Sequence, residues 1–134
     1  MTHITHVGPV FVPVSDQDAA LEFYVNTLGF EQRVDFAYAD GERWVEVGPP
    51  GVSTHLTLAQ ARESRPAGIE TGIVLGTGDV EAAHAALRDQ GVTVGAILRK
   101  GDPVVEWAGA IQAGIPAMFL LSDPDGNSFL IVQI

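Results

Sequence analysis

The feature that most constrains the fold of this chain is an internal repeat. Asp16 and Asp79 each follow an extended stretch and precede apolar residues at three- and four-residue spacing, which is typical of a capped helix start. The first pattern ends at Gly29 and the second at Gly91, and glycine is a common helix C-cap. We therefore expect a first helix over residues 16–28 and a similar second helix after Asp79.

Each copy continues in the same order, with one strand before the helix and three after it. The predicted strands are residues 10–14, 30–38, 42–47 and 54–59 in the first copy and 69–77, 93–99, 117–122 and 127–132 in the second. The predicted buried helix stripes are Ala20, Phe23, Tyr24, Thr27 and Leu28, and then Ala82, Ala83, Ala86, Leu87 and Gln90. Asp123-Pro-Asp-Gly is a strong turn signal between the last two strands.

This order predicts an α+β fold built from two βαβββ repeats. We expect a single domain over residues 1–134, with repeat one at 1–59, a linker at 60–68 and repeat two at 69–134. A helix covers one face of each sheet, so the uncovered faces of a curved mixed sheet are expected to enclose a cup-shaped cavity. Pro9 and Pro13 have the same parity and lack N–H donors, which indicates that the first strand lies at a sheet edge.

The composition and charge of the chain limit the classes of partner that it is expected to bind. The net charge of -10 repels phosphate backbones and anionic lipids, so we expect neither nucleic acid nor membrane as a partner. The same charge would attract a cationic small molecule, or it serves only to keep the protein in solution. The longest apolar runs are far shorter than the roughly 20 residues that span a bilayer, and no secretory signal is evident, so a cytoplasmic location is expected.

Four short motifs resemble the vicinal oxygen chelate superfamily, which includes glyoxalases, extradiol dioxygenases and bleomycin resistance proteins. They are Val12–Asp16, Phe23-Tyr24, Leu28–Glu31 and the Asp123–Asn127 turn. The resemblance covers nearly the whole chain and implies the glyoxalase/bleomycin-resistance/dioxygenase fold and a homodimer. It does not fix the function, because this scaffold supports both catalysis and plain binding.

Metal enzymes of that superfamily hold a divalent ion with His, Glu or Gln on the first and last strands of both repeats. The matching positions here are Pro9, His55, Gly72 and Leu130, of which only His55 has a donor atom. No cysteine is present, and His6 would need a bulge at Gly8-Pro9 to turn inward. We therefore expect no metal and no other cofactor, with a divalent metal at a rescued His55 site as the alternative.

The remaining histidines are assigned simpler roles. His3 is expected at a solvated terminus and His84 on the outer face of the second helix. His55 is expected to form part of a pocket wall or to make a hydrogen bond there. It is only a weak catalytic candidate, since the sequence identifies no partner for a general base.

Period-two alternation assigns side chains to the cavity. The expected cavity side comprises Pro9, Phe11 and Pro13, then Ser53, His55, Thr57 and Ala59, and finally Ser128, Leu130 and Val132. The alternates Val10, Val12, Val14, Leu56 and Leu58 are expected under the helices. Such a cup would be mostly apolar with a few polar groups, which is the usual composition of a small-molecule site.

Two tryptophans complete the candidate site. Trp44 shares a strand face with Glu46, and Trp107 lies in the long loop at residues 99–116, which could fold over the cup as a lid. Either ring could instead fill a core or a dimer interface. Glu46 and Glu106 are the acids best placed to meet a cation.

Together these patterns favour a metal-free protein that binds a small planar ligand, with a cationic ligand as one option, similar to bleomycin-type resistance proteins. The candidate ligand-binding residues are Phe11, Trp44, Glu46, His55, Thr57, Trp107 and Leu130. The alternative is a metal-dependent lyase or isomerase of the glyoxalase type, or an extradiol-type dioxygenase. Whether the protein is an enzyme stays open at this stage.

Overall fold

The computed structural model describes residues 2–134, which fall into two compact units that divide after Arg65. The second unit is Pro66–Ile134. Each unit contains one four-stranded mixed sheet and one helical segment, so the predicted α+β fold with repeated βαβββ organisation is confirmed. The predicted linker at 60–68 contains this division, and residues 62–65 of it form a tight turn closed by hydrogen bonds between Arg62 and Arg65.

The first unit follows the predicted order of elements. They are β1 (Val10–Val14), α1 (Gln17–Leu21), a π-helical segment (Glu22–Thr27), β2 (Glu31–Ala39), β3 (Glu42–Gly48) and β4 (Leu56–Gln60). The strand order in the sheet is β1-β4-β3-β2, with β1 parallel to β4 and the other pairs antiparallel. Strand β1 therefore lies at a sheet edge, as its two prolines predicted.

The second unit repeats this order with one addition. Its elements are β5 (Glu70–Thr77), α2 (Val80–Asp89), β6 (Thr93–Val94), β7 (Val105–Trp107), β8 (Ala110–Gln112), β9 (Met118–Ser122) and β10 (Ser128–Gln133). The sheet order β5-β10-β9-β6 corresponds to that of the first unit, and β5 is parallel to β10. Strands β7 and β8 form a separate antiparallel hairpin.

Both helices begin where the sequence predicts. Asp16 Oδ1 accepts a hydrogen bond from Ala19 N at 3.0 Å, and Asp79 Oδ1 accepts one from Ala82 N at 3.0 Å. Each carboxylate satisfies a backbone donor that has no partner inside the helix, which stabilises a helix start by about 1 kcal/mol.

One predicted helix has the expected bounds but a different geometry, and one predicted strand is too long. The first helix is α-helical only to Leu21, and its continuation widens to a π-helix, in which Leu28 N donates to Phe23 O at 3.0 Å. This widening allows the adjacent Phe23 and Tyr24 both to be buried. The predicted strand at 93–99 is reduced to β6, because the chain leaves the ladder after Gly95, whose N donates to Leu120 O, and pairs again with β9 only at Leu98.

The buried stripe of α2 also differs from the prediction. Counted from Val80, three- and four-residue spacing selects Ala83, His84 and Leu87, while the predicted Ala82, Ala86 and Gln90 are exposed. His84 consequently does not lie on the outer face: its Nε2 is 2.8 Å from Gly95 O, and its ring packs edge-on against Phe119 at 4.9 Å.

Alternate side chains of the first sheet form the core beneath its helical segment. The buried set is Val12, Val14, Val45, Val47, Leu56 and Leu58, joined by Phe23 and Tyr24. Val10 departs from this prediction, because it begins β1 and is 37% exposed. Gln17 fixes α1 to the sheet, since its Nε2 donates to Arg43 O at 2.8 Å and to Leu58 O at 2.9 Å. Among the described residues, no helix is long and apolar enough to cross a bilayer.

Candidate functional site

Most of the predicted ligand-binding side chains come together on one face of the first sheet. In the register of the strands, Phe11 of β1 lies beside Thr57 of β4, and Thr57 lies opposite Glu46 of β3. Trp44 and His55 share this parity. This surface, which we call the aromatic face, is the side of the sheet opposite the buried valines and leucines.

Glu46 is the polar centre of the aromatic face. Its Oε2 accepts a hydrogen bond from Trp44 Nε1 at 2.5 Å, and its Oε1 contacts His55 Nε2. His55 Nδ1 lies 2.5 Å from Ser53 O, and because a carbonyl can only accept, Nδ1 is the donor of that bond. The carboxylate thus fixes the indole plane and one edge of the imidazole ring. The predicted placement of Trp44 and Glu46 on one strand face is confirmed.

Aromatic rings surround this centre. Trp44 packs edge-on against Phe11 at 5.5 Å and against Tyr38 at 5.9 Å, and Tyr38 also contacts Phe36. Phe11, Phe36 and Tyr38 are 41%, 51% and 55% exposed. Phe36 and Tyr38 of β2 were not predicted as site residues. Their parity in the strand nevertheless places them on the same face as Trp44 of the neighbouring β3. Clusters of large exposed apolar side chains are typical of binding surfaces.

A cavity of about 200 Å³ lies against these rings. Its lining includes Phe11, Tyr38, Trp44 and Thr57, with Arg62 and Arg65 of the tight turn. The side chain of Thr57 is buried, and its hydroxyl has no hydrogen-bond partner among the described residues. This oxygen is enclosed and not exposed to the cavity, and a buried hydroxyl that stays unpaired costs about 1–3 kcal/mol.

Arg43, at the edge of the same cavity, is already neutralised. Its Nε and Nη2 donate to the two carboxylate oxygens of Asp35 at 2.8 and 2.7 Å, and its Nη1 donates to Asp18 Oδ1 at 2.7 Å. The hydrogen bonds and charge of Arg43 hold the pKa of Asp35 below its ordinary value. The two carboxylates raise the pKa of Arg43 further above its ordinary value, so the guanidinium stays charged.

A second depression on the first unit contains Pro9 and His55, two of the positions that match metal ligands in the metal enzymes. It measures about 720 Å³, and its lining includes His6, Pro9, Glu46 and His55. Both ring nitrogens of His55 are engaged, and proline offers no donor atom. Within residues 2–134, no group of three or more His, Asp or Glu side chains is arranged to hold an ion. The donor set therefore does not fit the divalent ion of the metal enzymes.

The other two predicted ligand-binding residues lie in the second unit. Trp107 is only 3% exposed and packs with Met118 and Leu130, and its Nε1 donates to Ser128 Oγ at 2.8 Å. The predicted lid loop at 99–116 thus contains a hairpin whose tryptophan is buried against its own sheet. Glu106 of that hairpin is exposed.

A second cavity, of about 350 Å³, lies beside the hairpin in this unit. Its lining includes Leu98, Val105, Met118, Leu120 and Leu130, with Gln112. Leu130 thus forms a wall, and Gly72, at the remaining metal position, adopts a φ of +73°. Neither residue has a side-chain donor for a metal.

Comparison with known proteins identifies the family. The model of the Glyoxalase/Bleomycin resistance protein/Dioxygenase superfamily matches residues 3–131. The chain belongs to this superfamily. The resemblance predicted from the four motifs is therefore confirmed, together with the fold that it implied.

Solved structures of this superfamily agree along the full length. TnmS3, an antibiotic binding protein from Streptomyces sp. CB03234, is 36% identical with a TM-score of 0.75, over 99% of this chain and 98% of its own. A superfamily member from Sphaerobacter thermophilus DSM 20745 is also 36% identical, with a TM-score of 0.79 over 98% of both chains. The uncharacterized protein YetH of Bacillus subtilis (strain 168) is 28% identical, over 97% of this chain and 99% of YetH.

Proposed function

We propose that this protein binds a planar aromatic small molecule on the aromatic face of its first unit, without a metal ion and without transforming the ligand. The observation that carries the proposal is the group of exposed rings around Trp44, whose indole is held in place by Glu46. Aromatic rings fixed at the wall of a cavity provide area for stacking at little cost in conformational entropy.

Two further observations support binding rather than metal-assisted catalysis. Pro9, Gly72 and Leu130 replace the donors that a metal enzyme of this superfamily needs, and His55 already contacts Glu46 and Ser53. The likeness to TnmS3, an antibiotic binding protein, extends over the whole chain. The proposed ligand class is accordingly a planar natural product or a compound of similar shape.

The test is a melting-temperature screen of the whole protein against planar aromatic compounds, followed by calorimetry on those that raise the melting temperature. A ligand that binds only the native state must raise apparent stability, by about 2.7 kcal/mol at a concentration of 100 times Kd. Trp44→Ala and Phe11→Ala are expected to weaken binding at least about tenfold, since each removes a stacking surface. Phe30→Ala is the matched control, because Phe30 lies outside the cavity. Equal affinity in the Trp44 variant would move the site elsewhere.

The metal-dependent alternative has its own measurement. His6, His55 and Glu46 line one depression, so a rearrangement that freed His55 would bring these donors toward an ion. Titration with Zn²⁺, Mn²⁺ and Fe²⁺ is expected to leave the melting temperature unchanged. A saturable rise that His55→Ala abolishes would replace the binding proposal with a metal site.

We also propose that the protein is a homodimer, as the resemblance implies. Sedimentation equilibrium is expected to give twice the chain mass of 14.2 kDa. A concentration-independent monomer would contradict this assignment without affecting the binding test.

A further inference from the structure

The charges around the cavity of the aromatic face differ from those of the protein as a whole. The chain has a net charge of -10 and only seven Lys and Arg residues. Three of these bases, Arg43, Arg62 and Arg65, line this one cavity, whose only acidic lining residue is Glu42. Arg62 and Arg65 bring two guanidinium groups to one small cavity of an acidic protein, whereas the guanidinium of Arg43 is bound to Asp18 of α1 and to Asp35 on the helix side of the sheet.

The three guanidinium groups are not equally available. Arg43 is bound by two carboxylates, and Arg62 forms an ion pair with Glu42. The side chain of Arg65 instead donates from Nη2 to Phe11 O at 3.1 Å, and no salt bridge to it occurs within residues 2–134. A carbonyl oxygen orients this group without neutralising its charge, and a guanidinium has five N–H donors, so most of the donors of Arg65 stay free for a ligand.

The position of Arg65 is fixed by local structure. Arg62 N donates to Arg65 O and Arg65 N donates to Arg62 O, each at 3.1 Å, which closes a tight turn directly after β4. The contact with Phe11 O connects this turn to β1. The charge of Arg65 is therefore held at the backbone of Phe11, and both residues line the cavity.

We infer that the ligand of this site is a planar aromatic acid, whose ring occupies the cavity between Phe11, Tyr38 and Trp44 and whose carboxylate meets Arg65. The inference rests on the proposed function and specifies its ligand class. The cavity of about 200 Å³ suits a ring system of modest size, since an engineered cavity of about 150 Å³ takes up benzene. A guanidinium binds a carboxylate through two parallel hydrogen bonds, a geometry that a cationic or neutral ligand cannot provide.

Three probes with one ring system and different charges test the inference by calorimetry on the whole protein: 2-naphthoate, 2-naphthamide and 2-naphthylmethylammonium. The naphthoate is expected to bind about fivefold tighter than the amide and the ammonium probe weakest, because an exposed ion pair contributes up to about 1 kcal/mol. The preference is expected to shrink as salt rises from about 20 to about 200 mM.

Variants locate the charge that is responsible. Arg65→Gln is expected to reduce the affinity for naphthoate to that for the amide and to leave the amide unaffected, since the glutamine amide can still donate to Phe11 O. Arg65→Lys retains the charge and is expected to restore most of the preference. Arg88→Gln, on the exposed side of α2 in the second unit, removes one charge elsewhere and is the matched control.

The outcomes separate the inference from the proposed function. The ammonium or amide probe could bind as tightly as naphthoate, with Trp44→Ala weakening the binding of all three probes. That result would overturn the inference that the ligand is an aromatic acid and would leave the proposal of aromatic binding intact. A naphthoate preference that survives Arg65→Gln also overturns the inference. If neither these probes nor any planar compound of the melting-temperature screen binds, the proposed function fails as well.

Discussion

The two sheets share one strand order and differ in what lies on the face away from the helix. In the first unit that face carries exposed rings, with Tyr38 55% exposed and Phe11 41% exposed. In the second unit the hairpin β7–β8 packs Trp107 onto the corresponding face, where this ring is 3% exposed. One topology thus presents an accessible aromatic surface in one copy and a covered apolar surface in the other.

The difference arises from one connection. In the first unit the short turn at 40–41 joins β2 to β3, whereas the second unit inserts residues 95–117 between β6 and β9. Part of that insertion approaches its own backbone closely, because a Cβ on Gly114 would lie 2.6 Å from Arg99 C. The inserted segment supplies the buried apolar contacts that the first sheet leaves open, so Trp107 and Trp44 have different roles.

The largest expected effect follows from this contrast. Trp107→Ala should lower the free energy of unfolding by about 3–5 kcal/mol, because it removes a large buried side chain that packs on Met118 and Leu130. Trp44→Ala should cost clearly less, since that side chain is only half-buried. Urea denaturation followed by circular dichroism measures both losses. Equal losses for the two variants would contradict the assignment of one tryptophan to the core and the other to the binding surface.

The connections before the last strands also differ, and they set the second prediction. Asn127 is fully buried: its Oδ1 accepts from Gly68 N at 2.9 Å and Ile69 N at 3.1 Å, while its Nδ2 donates to Asp123 Oδ2 at 2.9 Å. In the first unit the corresponding segment is held by Arg33, whose Nη2 donates to Pro49 O at 2.7 Å and Val52 O at 2.6 Å.

Asn127→Ala should therefore cost about 2–4 kcal/mol, because it removes a fully buried side chain that accepts from two part-buried backbone donors and donates to Asp123. Arg33→Gln should cost about 0.5–1.5 kcal/mol, since the segment that it holds is more exposed and water can replace the lost bonds. Thermal and urea unfolding of both variants at one pH provide the comparison. A larger loss for Arg33→Gln would mean that the first connection, not the second, carries more of the stability.

Several features of the fold follow directly from local sequence signals. Asp16 and Asp79 cap helices because their carboxylates reach the first free backbone donors, a property of three-residue spacing alone. Alternation identifies Val12, Val14 and Leu58 as core for the same local reason. The π-helical geometry within the first helix and the shortness of β6 were not predicted, because widening of a helix and departure from a ladder depend on packing and pairing with distant residues.

The candidate site, like the fold, was predicted where local sequence decides the structure and missed where distant residues decide it. Strand parity placed Phe11 and Thr57 on one side and Trp44 on the same strand face as Glu46. The contact of His55 with Glu46 depends on the register between β3 and β4, which the sequence does not specify. Arg65 was missed because residues 60–68 have the composition of a linker, and only the tight turn reveals that this side chain reaches Phe11 O. The ligand-binding roles of these residues stay predictions.

Glu46 provides the third test, and it concerns the first unit alone. Glu46→Ala should lower stability by about 1–2 kcal/mol, because it leaves Trp44 Nε1 and one nitrogen of His55 without partners in a half-buried setting. The same change should weaken planar ligands several-fold, since the indole loses its fixed orientation. Glu46→Gln keeps one acceptor oxygen and should lie between Glu46→Ala and the native protein. Glu106→Ala, an exposed acid of the second unit, is the control and should change neither quantity.

The smallest expected effect concerns Asp35 and Arg43 on the first sheet. Because Arg43 lowers the folded-state pKa of Asp35, their interaction stabilises the protein above the unfolded pKa of about 4 and is lost as the pH falls through the folded value. The pair is partly exposed, so Asp35→Asn should cost only about 0.2–1 kcal/mol at neutral pH. Urea unfolding between about pH 7 and about pH 3 should show the variant and native curves converging toward the acidic end. In the variant, Arg43 keeps Asp18 as a partner. A difference in stability between variant and native protein that instead grew on acidification would show that Asp35 does not stabilise the fold through its charge.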